Sequence, residues 1–168
     1  PGPFTVVLTA TSDSGCQNTI MLPVVTNPIP TAAIIPKNGC LNSLTPFTDG
    51  STSTGPGNAI NAWDWNFGDG TPHSNLQNPS HMYSAAGTYT ITLIVTTQNG
   101  CQDTATNMVT IYNPPIANFT RPIKGCSPLT ANYTDISTVT GGAISSWQWS
   151  FPGGTPSGST VQNPAGIS

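Results

Sequence analysis

One segment of this chain occurs twice, and that constrains its fold more than any other feature. Asn99-Gly100-Cys101-Gln102 repeats Ser14-Gly15-Cys16-Gln17 in kind, with the cysteines 85 positions apart. Gly125-Cys126 repeats Gly39-Cys40 at 86 positions, and Gln162-Asn163-Pro164 repeats Gln77-Asn78-Pro79 at 85. Trp147-Gln148-Trp149-Ser150-Phe151 repeats Trp63-Asp64-Trp65-Asn66-Phe67 at 84. Four anchors therefore share one period within a residue. A repeat of that length is a small domain, larger than a solenoid turn. The 168 residues hold two such equivalents.

The residues predict strands throughout. Thr88 to Thr96 alternates Tyr89, Ile91, Leu93 and Val95 with threonines and one isoleucine, the period-two pattern of a half-buried strand. Asn99-Gly100 follows as a hairpin turn, since both residues accept positive φ. Ala105 to Tyr112 is the expected returning strand. Phe4 to Thr11, the Ser14-Gly15 turn and Thr19 to Thr26 predict the same hairpin one period earlier. Trp63, Trp65 and Phe67 fall at i, i+2 and i+4, which puts them on one strand face. Gly68-Asp69-Gly70-Thr71-Pro72 then reads as a turn. Asn27-Pro28-Ile29-Pro30 and Asn113-Pro114-Pro115-Ile116 read as short, stiff linkers. Short strands with frequent turn signals and no helical period mean a β-sandwich.

Composition narrows the function. Only 5% of residues are charged, against about 25% in an ordinary domain. The three basic residues, Lys37, Arg121 and Lys124, are too few for the clustered footprint that nucleic acid needs. The net charge of −3 points to no particular partner. A surface of Thr, Ser, Asn and Gln repels copies of itself weakly and suits a secreted or self-packing protein. No apolar run approaches the roughly 18 residues of a membrane span. Strand-like residues begin at once after Pro1-Gly2-Pro3, so no secretory signal is read here; if the parent protein is secreted, its signal lies upstream.

Three blocks in fixed order resemble the PKD domain. They are Trp65-Asn66-Phe67-Gly68-Asp69-Gly70, then Gln77-Asn78-Pro79-Ser80-His81-Met82-Tyr83, then Ala86-Gly87-Thr88-Tyr89-Thr90-Ile91-Thr92-Leu93. The resemblance implies an immunoglobulin-like sandwich of about seven strands, hence an all-β chain of tandem PKD-type sandwiches. Asn66 stands where the family usually has aspartate. In the second copy Trp147, Trp149 and Phe151 keep the aromatic stripe, but Gly153 aligns with Asp69. That form resembles a PKD variant of large secreted or cell-surface proteins of the Bacteroidetes type, which implies an extracellular setting at a bacterial surface.

Aligned on the family, residues 1–30 form the C-terminal fraction of one repeat, 31–113 a complete repeat and 114–168 an N-terminal fraction of another. The two fractions would expose sheet edges and half a core, so something must cover them. Neighbouring repeats of the same chain could do so, or adjacent chains by strand addition.

Four cysteines fall in two classes: Cys40 and Cys126 before the second strand, Cys16 and Cys101 at the late hairpin. A secreted array makes disulfides the default. Cys40 with Cys101 is the simple intradomain pairing. The immunoglobulin-like topology implied by the resemblance separates those two positions. It favours bridges from one domain's first turn to the next domain's late hairpin, in which no pair closes within this sequence.

Other chemistry is sparse. Asp64 and Asp69 suggest calcium, but a calcium site needs six to eight oxygens, and the second copy has Gln148 and Gly153 instead. The reading preferred here gives Asp69 an Asx-type turn. His73 and His81 do not recur in the second copy, and no nucleophile–base–acid order has a supporting motif. The Trp63/Trp65/Phe67 stripe could stack on sugars, yet its alternation favours core. Asp103-Thr104-Ala105 resembles a short O-glycosylation motif of Bacteroidetes, with Thr104 as acceptor. No cofactor and no catalysis are expected.

The function expected is that of a structural and adhesive segment in a long extracellular fibre or stalk, acting as spacer and multivalent surface. The alternative is an accessory module of a secreted hydrolase that binds polysaccharide or protein.

Overall fold

The computed structural model describes residues 2–121 and 130–168. Every regular element among them is a strand. In chain order these are β1 (Phe4–Thr11), β2 (Gln17–Val24), β3 (Ile34–Ile35), β4 (Gly39–Cys40), β5 (Leu44–Pro46), β6 (Thr48–Asp49) and β7 (Ile60–Asn66). They continue with β8 (Ser80–Met82), β9 (Gly87–Thr97), β10 (Gln102–Tyr112), β11 (Phe119–Thr120), β12 (Thr134–Asp135), β13 (Trp149–Ser150) and β14 (Gly158–Ser159). The fold is all-β, as the alternation and turn signals predict. The described residues gather into two compact units. One comprises 1–37, 44–81 and 88–109; the other comprises 38–43, 82–87 and 110–168.

In the first unit, β1 and β2 form an antiparallel hairpin with Phe4 opposite Val24 and Leu8 opposite Ile20. The turn closes tightly through Ser12 and Cys16, and Gly15 takes the left-handed φ of 88° it requires. The returning strand therefore starts at Gln17, two residues before the expected Thr19. It stops at Val24 rather than Thr26, shortly before Pro28, which has no N–H for a ladder. β10 likewise begins at Gln102 rather than Ala105, because its turn closes at Thr97 and Cys101 in the same way.

β7 pairs antiparallel with β9, placing Trp65 opposite Leu93 and Trp63 opposite Val95. The period-two reading of β9 holds where it matters: Ile91, Leu93 and Val95 are buried. With Phe47, Trp65, Phe67 and Val109 they form the core of this unit, and Trp65 is 0% exposed. Phe47 touches both aromatic neighbours, with ring centroids 5.9 Å from Trp65 and 5.2 Å from Phe67. Burial of each such side chain stabilises by about 1.5–3 kcal/mol.

In the second unit β4 runs parallel to the end of β10, with Gly39 opposite Ile111 and Cys40 opposite Tyr112. β11 pairs with β12 and β13 with β14, both antiparallel. Isolated bridges join Ile116 to Thr138 and Ala131 to Ile167. Phe119, Tyr133, Trp149 and Phe151 form an aromatic cluster with centroid separations from 5.1 Å (Tyr133–Phe151) to 6.1 Å (Trp149–Phe151). Phe151, Ala131 and Ile167 are buried, whereas Trp149 is only half-buried and Phe119 is exposed.

Candidate functional site

The polar centre of the first unit is a carboxylate that the sequence reading did not single out. β6 ends at Asp49, and its side chain collects donors from three places. Oδ1 accepts the Ser51 backbone N–H at 2.9 Å, and Oδ2 accepts the Trp63 indole N–H at 2.8 Å and the Gln77 amide at 3.2 Å. The Asp49 backbone N–H in turn donates to Asn78 Oδ1 at 2.9 Å. Burial pushes the Asp49 carboxyl up, but hydrogen bonds from Ser51, Trp63 and Gln77 outweigh it and hold the group below the ordinary range.

The second unit builds the same centre around Asp135. Its carboxylate accepts the Ser137 N–H at 2.9 Å, the Trp147 indole N–H at 2.8 Å and the Gln162 amide at 3.3 Å. Its backbone N–H donates to Asn163 Oδ1 at 2.8 Å. The hydrogen bonds from Ser137, then those from Trp147 and Gln162, pull this carboxyl from 3.8 down to about 2. The recurrent Gln-Asn-Pro segment thereby acquires a physical reason. Its Gln and Asn clamp the aspartate, and its Pro carbonyl accepts from Phe47 in one unit and Tyr133 in the other. The signal was present in the sequence, since Phe47-Thr48-Asp49 and Tyr133-Thr134-Asp135 keep the same 86-residue offset.

The aromatic stripe divides by role. Trp65 and Phe67 are interior, while Trp63 and Trp147 are half-buried and serve as indole donors to the two aspartates. Gly68 is needed for two reasons. Its φ is 76°, and a Cβ there would lie 2.3 Å from the Thr90 carbonyl oxygen. Gly70, at φ 80°, has open space around it. Tyr83 is buried, Gly87 opens β9 and Tyr89 is half-buried.

Asp69 lies in the turn as an Asx-type cap. Its Oδ1 accepts the Thr71 hydroxyl at 2.6 Å and the Thr71 N–H at 3.1 Å. Its Oδ2 lies 2.7 Å from His81 Nε2, and the His81 ring stacks on Phe67 at 4.1 Å with planes 2° apart. Burial raises the Asp69 carboxyl, and the contacts from Thr71 and His81 overcome this and lower it. His73 Nδ1 meets Asp64 Oδ1 at 2.7 Å on the exposed side. These two pairs were missed in the sequence, although the second copy drops both members of each: Gly153 and Gly166 replace Asp69 and His81. No group of three or more His, Cys, Asp or Glu side chains gathers at metal-binding range among the described residues.

Cys16 and Cys40 are exposed free thiols and Cys101 is a half-buried one. Cys126 lies outside the described residues. Thr104 is exposed on β10, next to Asp103, whose carboxylate accepts the Ala32 N–H at 2.8 Å. An open groove of about 810 Å³ lies in the second unit, lined by Phe119, Ala131, Tyr133, Trp149, Phe151 and Ile167 among others.

The family profile described as PKD domain matches residues 25–111, half of the chain. The chain belongs to the PKD-domain family. A PKD domain is itself non-catalytic, although it occurs within enzymes. Collagenase ColA of Bacillus cereus is 32% identical over 113 residues, which is 61% of this chain and 12% of that protein. This PKD chain therefore spans a small part of that relative's length. The PKD1 domain of Vibrio anguillarum Epp is 28% identical, covering 53% of this chain and 100% of that domain, with a TM-score of 0.47. The PKD1 domain from the Vibrio cholerae metalloprotease PrtV is 27% identical, covering 50% and 98%, with a TM-score of 0.45. No helix among the described residues is long and apolar enough to cross a membrane.

Proposed function

We propose that this chain is a non-catalytic accessory segment of a larger extracellular protein, in which PKD repeats hold a partner domain at a distance and offer a weak binding surface. The observation that carries this reading is the 32% identity with a collagenase over 113 residues. The repeats are read as 1–30, 31–113 and 114–168, a partition supported by the recurrence of the Asp49 centre at Asp135. The surface that remains is a low-charge array of Thr, Ser, Asn and Gln, suited to polysaccharide or protein through many weak contacts. Thr104 is the glycan acceptor in this reading, because it projects from an exposed strand position.

The test is co-sedimentation of the chain with insoluble polysaccharides and with fibrous collagen. Saturable retention on one substrate supports the accessory role. Retention on none, at concentrations where the chain is folded, sinks the binding half of the proposal.

A long surface fibre of a Bacteroidetes-type protein is the second reading, favoured by the repeated centre and by exposed Cys16 and Cys40, which are open to bridges between domains. Electron microscopy of the native parent material separates the two. A rod with a regular axial repeat supports the fibre, and one or two beads beside a large globular head support the accessory module.

A further inference from the structure

The segment that leads from the β1–β2 hairpin into the complete repeat is Asn27-Pro28-Ile29-Pro30. Proline has no N–H, so from Pro28 to Pro30 only Ile29 can donate. Such a segment is held mainly through its carbonyls, and whatever holds it must supply donors.

Asn58 supplies them. Its side-chain amide donates to the Pro28 carbonyl at 2.7 Å and to the Thr54 carbonyl at 3.1 Å. Its own Oδ1 accepts the Asn99 amide at 3.3 Å, and Asn99 also donates to the Gly57 carbonyl at 3.1 Å. Asn58 is 1% exposed, and its amide N–H groups and its Oδ1 are all occupied. One short side chain therefore joins three stretches of the first unit: the proline segment, the loop at 54–58 and the late turn at Asn99. The loop comes close to the segment at Gly55, whose φ is 93° and where a Cβ would lie 3.4 Å from Pro28 Cγ. Just beyond, Pro30 is buried, and Thr31 exchanges two backbone hydrogen bonds with Thr52 at 2.8 and 2.9 Å.

The second copy cannot build this joint. Its loop runs Thr140-Gly141-Gly142-Ala143 where the first runs Thr54-Gly55-Pro56-Gly57-Asn58-Ala59. It is shorter, and no amide side chain occurs from Ser137 to Ser146. The joint belongs to one copy and is not a property of the repeat.

We propose that Asn58 is a latch that fixes the direction in which the chain enters the complete repeat. Rigidity of the proline segment comes from the Asn58 amide and not from the prolines. Removing the amide turns the segment into a hinge while the repeat stays folded. The backbone geometry explains why. Pro28 fixes its own φ, and Pro30 restricts ψ of Ile29. Neither proline fixes ψ of Pro28 or φ of Ile29. Those two bonds flank the Pro28–Ile29 peptide plane, and Asn58 grips that plane by its oxygen. This goes beyond the accessory reading, which needs only that the repeats hold a partner at a distance, and it does not depend on it.

Nitrogen-15 relaxation of the Ile29 amide in the intact chain tests the latch. The parent should give the order parameter of rigid backbone, about 0.85. Asn58→Ala should drop it below about 0.6, the range of flexible backbone, while β7 and β9 keep the parent's values. A mobile Ile29 in the parent overturns the proposal. So does an Asn58→Ala chain that is folded and still rigid at Ile29. Pro28→Ala separates latch from proline, because it keeps the carbonyl that Asn58 holds, and it should leave Ile29 rigid. Should Asn58→Ala lose its fold, Pro28→Ala decides alone. Rigidity at Ile29 then supports the latch, and loosening assigns the stiffness to proline and overturns it. None of these readouts involves a ligand, so the accessory reading can fail without moving them.

Discussion

Trp63 donates its indole N–H to Oδ2 of Asp49 at 2.8 Å, and Trp147 does the same to Asp135 at the same distance. A tryptophan on the strand beside the core thus also stabilises the charged carboxylate on which the neighbouring strand and the Gln-Asn-Pro segment converge. The two aspartates organise their units because each joins three stretches of chain that are far apart in sequence.

Asp49→Ala should therefore destabilise more than an ordinary surface change. It strands the Trp63 indole and the Gln77 amide together, with an expected loss of about 1–3 kcal/mol. Urea unfolding of the variant should lower the midpoint with an unchanged slope. Asp49→Asn, which keeps a carbonyl acceptor, should recover part of the loss. Equal stability of the variant and the parent would remove the aspartate from its central position.

Acid should act on the second unit in a defined window. The Asp135 carboxyl is lowered from 3.8 to about 2 in the folded chain. A lowered folded value means the charged form is favoured on folding, so its stabilising contribution is complete above 3.8 and fades as pH falls towards 2. Carboxyl carbon shifts followed by NMR should show Asp135 titrating below the remaining exposed carboxylates. A midpoint at the ordinary aspartate value would contradict the hydrogen-bonded geometry.

Gly68 and Gly70 offer a paired test of close approach against conformation alone. Both have positive φ, so alanine at either costs about 1–2 kcal/mol through the left-handed backbone. Only at Gly68 does a methyl also meet the Thr90 carbonyl oxygen at 2.3 Å. Gly68→Ala should lower the thermal midpoint clearly more than Gly70→Ala. The reverse order would mean that the turn and β9 do not approach as described.

Calcium should leave the first unit unchanged. Both Asp69 oxygens are already engaged, by Thr71 on one side and His81 on the other. Adding calcium or a chelator should move the thermal midpoint by no more than its scatter. A reproducible rise with calcium, abolished by Asp69→Asn, would restore the metal reading that Asp64 and Asp69 first suggested.

Much of the architecture was legible in the residues. The alternation of Ile91, Leu93 and Val95 determines β9, because a strand places every second side chain on one face whatever surrounds it. The Asn99-Gly100 turn and the 84–86-residue period are likewise local or statistical properties that need no coordinates. Strand ends were less legible: β2 starts at Gln17 and β10 at Gln102 because turn closure recruits residues that propensity leaves neutral. Tertiary structure alone decided which polar residues meet. Asp49 with Trp63 and Gln77, and Asp69 with His81, are separated by 12 to 28 positions and joined only when strands stack. It also decided that Trp65 is sealed, with Leu93 of β9 opposite it and Phe47 packed on its ring. Local sequence marks Trp65 as strand, but its burial is set by the strands that lie across it.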